Sequence, residues 1–257
     1  MDQVNKTLYI PLYGKAYVSG RNMLLKDPKA EEIWAAEQFP LKGKSASKWL
    51  AYYMAMRASV FDRWVQEKMT EHPDAVVLHL GCGMDSRAER IGTQNLLWFD
   101  VDFPAVMEER KRYYRETETY RMLGSDVCDI NWLTEVPRGG CAIVLMEGIH
   151  MYLPRQRMDG LMAALKQHFS QVHLLMDCYT ELAAKASRYK NPINDVGVTK
   201  VYGMDDPKMV ALPYVREHSM TPEEMISQLP AKEQWIFRKL YAGKTARKMY
   251  RLYEYQK

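Results

Sequence analysis

A chain of 257 residues, 47% apolar and 26% charged, is long enough for one α/β domain with additions and too apolar to be disordered. Its net charge of +4 is small for this length, and Lys and Arg are spread along the chain, which argues against a nucleic-acid surface. Cys82, Cys128, Cys141 and Cys178 form no Cys-x-x-Cys pair, and the chain shows no leader-like start and no transmembrane-length apolar run, so reduced thiols, no metal, no membrane partner and a cytoplasmic location are expected.

One domain over 1–257 is expected, with four parts. Residues 1–72 read as a helical cap. Within it, Trp49, Tyr53, Met56, Val60 and Trp64 recur at spacings of three and four between Ser45 and Met69. That is one apolar stripe on a helix, with Ser45 or Ser47 as its cap and Arg57 beside the stripe. Residues 73–179 alternate strands with helices and read as a cofactor-binding core. The predicted strands are Val76–Leu80, Leu96–Asp102, Arg121–Leu123, 141–148 and 172–179. Between them lie helices over Ser86–Gly92, over 104–116 behind Pro104, and around Leu161–Phe169. Such alternation implies right-handed crossovers and a mostly parallel sheet. Residues 180–230, rich in turn formers, read as a substrate-side insertion of loop and short helix. Residues 231–257 offer two strand-like runs around Ala242 and Gly243, expected to close the sheet as an antiparallel pair.

Ligands of such sheets bind beyond the carboxyl ends of the strands. There the sequence places Gly81, Cys82 and Gly83, then Asp100 and Asp102, then Ser125, Asp126 and Asp129, then Glu147, Gly148 and His150. Asp102 follows Gly83 by 19 residues, the spacing of a carboxylate that binds an adenosine ribose. That fits a nicotinamide dinucleotide or S-adenosylmethionine. Ser86 stands where a dinucleotide fingerprint has its third glycine, and Asp85 puts a negative charge beside it. A crown of acids disfavours two phosphates and favours a ligand with ammonium, sulfonium and adenine amino groups. The carboxylate of such a ligand needs a cation, which Arg57 can supply. The plainer readings stay open at this point: Gly-x-Gly after a strand is weak by itself, and one of Asp100 and Asp102, or Asp129, can simply cap the next helix.

Several segments, kept in order, carry a resemblance: "IPLYGKAYVSGRNMLLKDPKAEEI", "MRASVFD", "VVLHLGCGMDSRAERI", "WFDVDFP", "GSDVCDINW", "MEGIHMYLP" and "VYGMDDP". Together they resemble the leucine carboxyl methyltransferase family, in its bacterial branch with polyketide O-methyltransferases of the tetracenomycin type. The resemblance implies an α/β, class I S-adenosylmethionine-dependent methyltransferase fold, Rossmann-like, with added N-terminal helices and a C-terminal antiparallel pair. It implies S-adenosylmethionine as cofactor and S-adenosylhomocysteine as product. It implies that Arg57 and Lys15 hold the methionine carboxylate and that Gly81 and Gly83 line the methionine part. Asp102 would bind the ribose, Asp126 and the Val127 backbone the adenine, and Glu147 would lie near the ammonium.

Two positions depart from the family pattern. Ser86 stands where Thr is usual, and His150 replaces a Leu at the place of methyl delivery. His150 is a candidate general base, or merely a loop histidine; Tyr152 is a candidate acceptor contact, or core. The expected reaction is in-line methyl transfer to a small-molecule hydroxyl or carboxyl group. A carboxylate needs no base and a hydroxyl benefits from one. The 180–230 segment and the N-terminal helices are expected to form the acceptor pocket and a lid. The alternatives are methylation of a protein C-terminal carboxyl group, a nicotinamide-dependent oxidoreductase, and an inactive methyltransferase-like binding protein.

Overall fold

The computed structural model describes residues 5–190 and 200–257. Helices α1 (Tyr9–Ser19), α2 (Pro28–Glu37) and α3 (Lys48–Glu71) precede the first strand. Asp27 starts α2 by accepting from the Ala30 amide, with Pro28 at the first turn, where no amide is needed. Ser47 caps α3 in the same way through the Trp49 amide. The apolar stripe of α3 is buried over Tyr53, Met56, Val60 and Trp64.

The central strands are β1 (Val76–Leu80), β2 (Trp98–Asp102), β3 (Tyr120–Gly124), β4 (Cys141–Met146) and β5 (Gln171–Tyr179). All pair in parallel, and β1 is buried on both faces, as a sheet covered on each side requires. Connecting helices are α4 (Arg87–Ile91), α5 (Pro104–Arg110), α6 (Arg155–His168) and α7 (Glu181–Lys190). Alternation along β1 sends Val77 to one core, with the N-terminal helices, and Val76, Leu78 and Leu80 to the other, with α6. Helix α5 stops at Arg110 rather than near 116, and Glu116 instead accepts from the Met122 amide of β3.

The end of the chain departs from its expected form. After β6 (Tyr214–His218) come α8 (Glu223–Ile226), α9 (Ala231–Phe237), a π-helical turn over Arg238–Ala242, α10 (Lys244–Arg247) and β7 (Tyr250–Gln256). The sheet order is β3-β2-β1-β4-β5-β7-β6, with β7 antiparallel to both neighbours. So the closing pair is β6 with β7, and 231–247 is helical rather than a strand. Phe237 and Tyr241, four residues apart, stack at 5.2 Å, which is a helix spacing. Strand β6 lies inside the segment read as loop and short helix. It is an exposed edge with polar Arg216, Glu217 and His218, so no apolar alternation marks it. Within the turn-rich stretch beginning at Lys190, residues 191–199 lie outside the described residues.

Candidate cofactor and acceptor cavity

The strand order reverses between β1 and β4, and the chain leaves these two strands in opposite directions. A cavity of about 740 Å³ opens there, within the range of roughly 300–1,000 Å³ usual for small-molecule sites. Gly81 follows β1 with φ +68°, and Gly83 with φ +53°. A Cβ on Gly81 would sit 2.1 Å from Ile149 Cγ2. Gly81→Ala is therefore expected to cost about 1–3 kcal/mol in urea unfolding, with part of the loss recovered in Gly81→Ala/Ile149→Ala. A Gly81→Ala protein as stable as the parent would refute this.

Lys15, Arg57, Gly81, Gly83, Asp102, Asp126, Val127, Glu147 and Tyr152 all line this one cavity, although they come from six separate stretches of chain. Asp102 accepts from the Gly83 amide at 2.8 Å and from the Phe103 amide at 2.8 Å. The loop amide that would cradle a phosphate is thus already taken by a carboxylate. Asp126 accepts from the Cys128 amide at 3.0 Å and meets the half-exposed Arg157 at 2.8 Å. Asp129 is exposed and caps the short 3₁₀ turn after it, as its plainer reading has it.

The acids do not form a free negative crown. Asp85 pairs with Lys15 at 3.1 Å, Arg90 at 3.0 Å and Arg87 at 3.3 Å. Glu147 accepts from Arg57 Nε at 3.0 Å and from Arg87. Burial alone would push the Glu147 carboxyl up; Arg87 and Arg57 overcome that and hold it well below the usual carboxylate range. Among the lining residues, Lys15, Lys44, Arg57 and Arg157 balance Asp85, Asp102, Asp126 and Glu147 in formal charge. Phosphate repulsion is therefore a weaker discriminator than the occupied Gly83 amide.

Arg57 is the hub. Its Nη1 donates to Asp177 at 2.9 Å and to the Tyr250 hydroxyl at 2.7 Å, while Nη2 makes no hydrogen bond to a described residue and lies beside Gly148. Gly148, with φ +73°, donates its amide to Asp177 at 2.6 Å. Arg87 reaches Asp62 at 2.7 Å, and Arg90 reaches Asp62 and Asp27 at 2.8 Å. Ser86, 2% exposed, donates to Asp27 at 2.7 Å and accepts from Arg90 at 2.8 Å. The hydroxyl at the missing third glycine is thus a strut to α2. Reading the sequence for acids alone missed Arg87, Arg90, Asp62, Asp177 and Tyr250. Their signal was faint but present: Asp62 ends "MRASVFD", and Asp85, Arg87 and Arg90 share "DSRAER".

His150 does not line the cavity. It sits in the 3₁₀ turn His150–Tyr152 and is 6% exposed. Burial pushes its imidazole down to about 4, and Nδ1 has no hydrogen-bond partner among the described residues. Met151 and Tyr152 line the cavity instead. The folded imidazole titrates below its unfolded value near 6.5, so His150 adds no pH dependence above that value. Below it the unfolded chain takes the proton first. Stability is then expected to fall by roughly 3 kcal/mol between pH 6.5 and 4. Urea titrations of the parent and His150→Gln proteins test this, and equal slopes over that window would contradict it.

The other wall is aromatic. Tyr53, Tyr179, Tyr241 and Tyr250 line it, with Tyr179 and Tyr250 edge to face at 4.8 Å and Tyr53 at 5.6 Å from Tyr241. His79 is the histidine among the described lining residues. Its Nε2 lies 3.2 Å from Arg87 Nη1 and accepts from it, since a guanidinium only donates.

This sheet order, with a cavity over the β1 and β4 ends, is that of the class I methyltransferase fold. A solved structure from Thermobifida fusca, ascribed to the methyltransferases, matches with a TM-score of 0.57 at 14% identity over 95% of this chain and 94% of that one. Magnesium protoporphyrin IX methyltransferase from Synechocystis PCC 6803 with bound S-adenosylmethionine gives 0.51 at 10% identity, over 87% and 88% of the two chains. These likenesses speak for the fold. The leucine carboxyl methyltransferase family model matches residues 12–166. The tetracenomycin polyketide synthesis O-methyltransferase TcmP of Streptomyces glaucescens is 30% identical over 241 residues, 91% of this chain and 89% of that protein. The S-adenosyl-L-methionine-dependent methyltransferase dpfgK of Gibberella zeae is 28% identical over 180 residues, 64% of this chain and 60% of that protein. The chain belongs to the leucine carboxyl methyltransferase family and is an S-adenosylmethionine-dependent methyltransferase. None of the helices among the described residues is long and apolar enough to cross a membrane.

Proposed function

We propose that this methyltransferase esterifies or etherifies a small aromatic acceptor of polyketide type, at an oxygen that arrives already ionised, a carboxylate foremost. The observation that carries the reading is the shape of one cavity: a cofactor wall at the ends of β1, β2 and β4 faces the tyrosine wall from α3, β5 and 241–250. The similarity to a protein of tetracenomycin polyketide synthesis supports the acceptor class.

The residues present fit the cofactor. Arg57 Nη2 and Lys15 suit its carboxylate, Gly81 and Gly83 admit it against the backbone, and Asp102 offers acceptor oxygens to the ribose. Asp126 and Val127 suit the adenine, and Glu147 the ammonium. When bound, S-adenosylmethionine supplies an electrophilic methyl group on a sulfonium, leaving S-adenosylhomocysteine. The chain's own work is to hold the acceptor oxygen in line and keep water out. Tyr152 lines the cavity and is an acceptor contact; burial raises its phenol well above its ordinary range, so it stays a proton donor and serves poorly as a base. His150 is buried outside the cavity, and His79 already accepts from Arg87. An acceptor that needs no deprotonation by the protein matches this set. Exposed Lys44, also lining the cavity, is a cation for an anionic acceptor.

The test is turnover with S-adenosylmethionine and a panel of polycyclic aromatic acids and phenols, followed by mass spectrometry. The expected products are equimolar S-adenosylhomocysteine and a methyl ester that alkali cleaves. An alkali-stable methyl ether would move the reading to a hydroxyl, and methylation of a peptide C-terminus alone would overturn the small-molecule assignment.

A further inference from the structure

We propose that His72, Cys141 and His173 form a binding site for one zinc-like divalent cation at the end of the sheet opposite the cofactor cavity. Their donor atoms all lie within 4.8 Å of one another. None of the three lines the cofactor cavity. Cys141 opens β4 and His173 lies near the start of β5, whereas Glu147 and Asp177 mark the far ends of the same strands. Cys141 pairs with Gln171 and His173 with Ile143, so the two side chains sit two register steps apart on one face of neighbouring strands. His72 caps the C-terminus of α3, which packs on that face.

The independent pointer is His173. Its side chain is 2% exposed, yet neither ring nitrogen has a hydrogen-bond partner among the described residues. Burying both nitrogens of an imidazole without partners is costly, and a cation that binds one of them and a water on the other removes that cost. The His72 ring lies 4.4 Å from that of His173, centroid to centroid.

Imidazole nitrogen and thiolate sulfur together suit zinc. Tetrahedral bonds of about 2.0–2.1 Å to nitrogen and 2.3 Å to sulfur set donors roughly 3.3–3.6 Å apart, so side-chain rotations of about 1 Å close the cluster. Binding exchanges the Cys141 thiol proton, released to solvent, for the sulfur–metal bond. The fourth position falls to water or to Glu71, whose carboxylate lies 4.0 Å from His72 Nε2. Such a cation would fasten the end of α3 to β4 and β5, and stabilise the fold without touching the reaction.

The test uses the full chain, stripped with a chelator and titrated with Co²⁺ and then Zn²⁺. One equivalent of Co²⁺ is expected to give a thiolate-to-cobalt charge-transfer band in the near ultraviolet. Cys141→Ser is expected to lose the band, and to weaken zinc binding by more than the roughly 10–100-fold that an outer-shell change costs. His72→Ala, altered at a part-exposed position, is expected to weaken binding likewise while remaining folded. Zinc should raise Tm in the parent and in neither variant. No band in the parent, or a band and affinity unchanged in Cys141→Ser, would overturn the site, the latter assigning the signal to another thiol such as Cys128.

Discussion

Arg57→Ala is expected to abolish measurable S-adenosylhomocysteine binding and to remove about 3–5 kcal/mol of folding stability. The side chain is 4% exposed and bridges Glu147 on one side to Asp177 and Tyr250 on the other. Taking it away leaves Asp177 buried with no cation partner among the described residues and Glu147 with Arg87 alone, so Asp177 has to take up a proton or drag water inward. Tyr250 would still donate to Asp177 at 2.6 Å, which covers only part of that need. Arg57→Lys is not a conservative change here. A compact ammonium cannot span Glu147, Asp177 and Tyr250 as the planar guanidinium fork does, so Lys should regain some stability and little affinity. Calorimetric titration with S-adenosylhomocysteine and urea unfolding, both on all three proteins, separate the two effects. An Arg57→Ala protein that binds like the parent would remove Arg57 from the cofactor site.

Arg87→Met should cost a similar 3–5 kcal/mol without any residue at the cavity wall being changed. Arg87 is 0% exposed and is shared by Asp62 of α3, Asp85 of the glycine loop and Glu147 after β4. Methionine fills much of the volume but leaves the three acids facing each other with Lys15, Arg57 and Arg90 alone. The affinity for S-adenosylhomocysteine should fall less than the stability, because Arg57 and Gly83 remain. Arg155→Ala, which breaks an exposed pair with Asp159 one helical turn away, is the control and should leave Tm unchanged. Equal Tm for Arg87→Met and the parent would mean that the network is not a stabilising device.

What could be read in advance followed from chain order. Strand, Gly-x-Gly and an acid 19 residues on are local signals at fixed spacing, so Gly81, Gly83 and Asp102 were legible, and the "MRASVFD" match pointed to Arg57. The ion network was not, because its partners lie far apart in sequence. Glu147 and Arg57 are 90 residues apart, and Asp177 and Arg57 are 120. No periodicity records which charge meets which. Strand β6 was hidden by its polarity, and the helices before β7 by a short aromatic run that fits either period. For His150 the motif gives the position in the chain, whereas the direction of its ring depends on what packs around it.

Ser86, the residue at the absent third glycine, bears on how molecules enter. Its bond to Asp27 is one rivet of several between the first 70 residues and the sheet: Lys15 to Asp85, Arg90 to Asp27, Arg87 to Asp62, Arg57 to Glu147. Swinging that region outward would break every one of these in the dark interior at once. These bonds make the N-terminal helices a costly part of the chamber to move. An opening motion that spares these bonds has to fall to elements outside them, such as α7, whose Ala183 and Ser187 line the cavity.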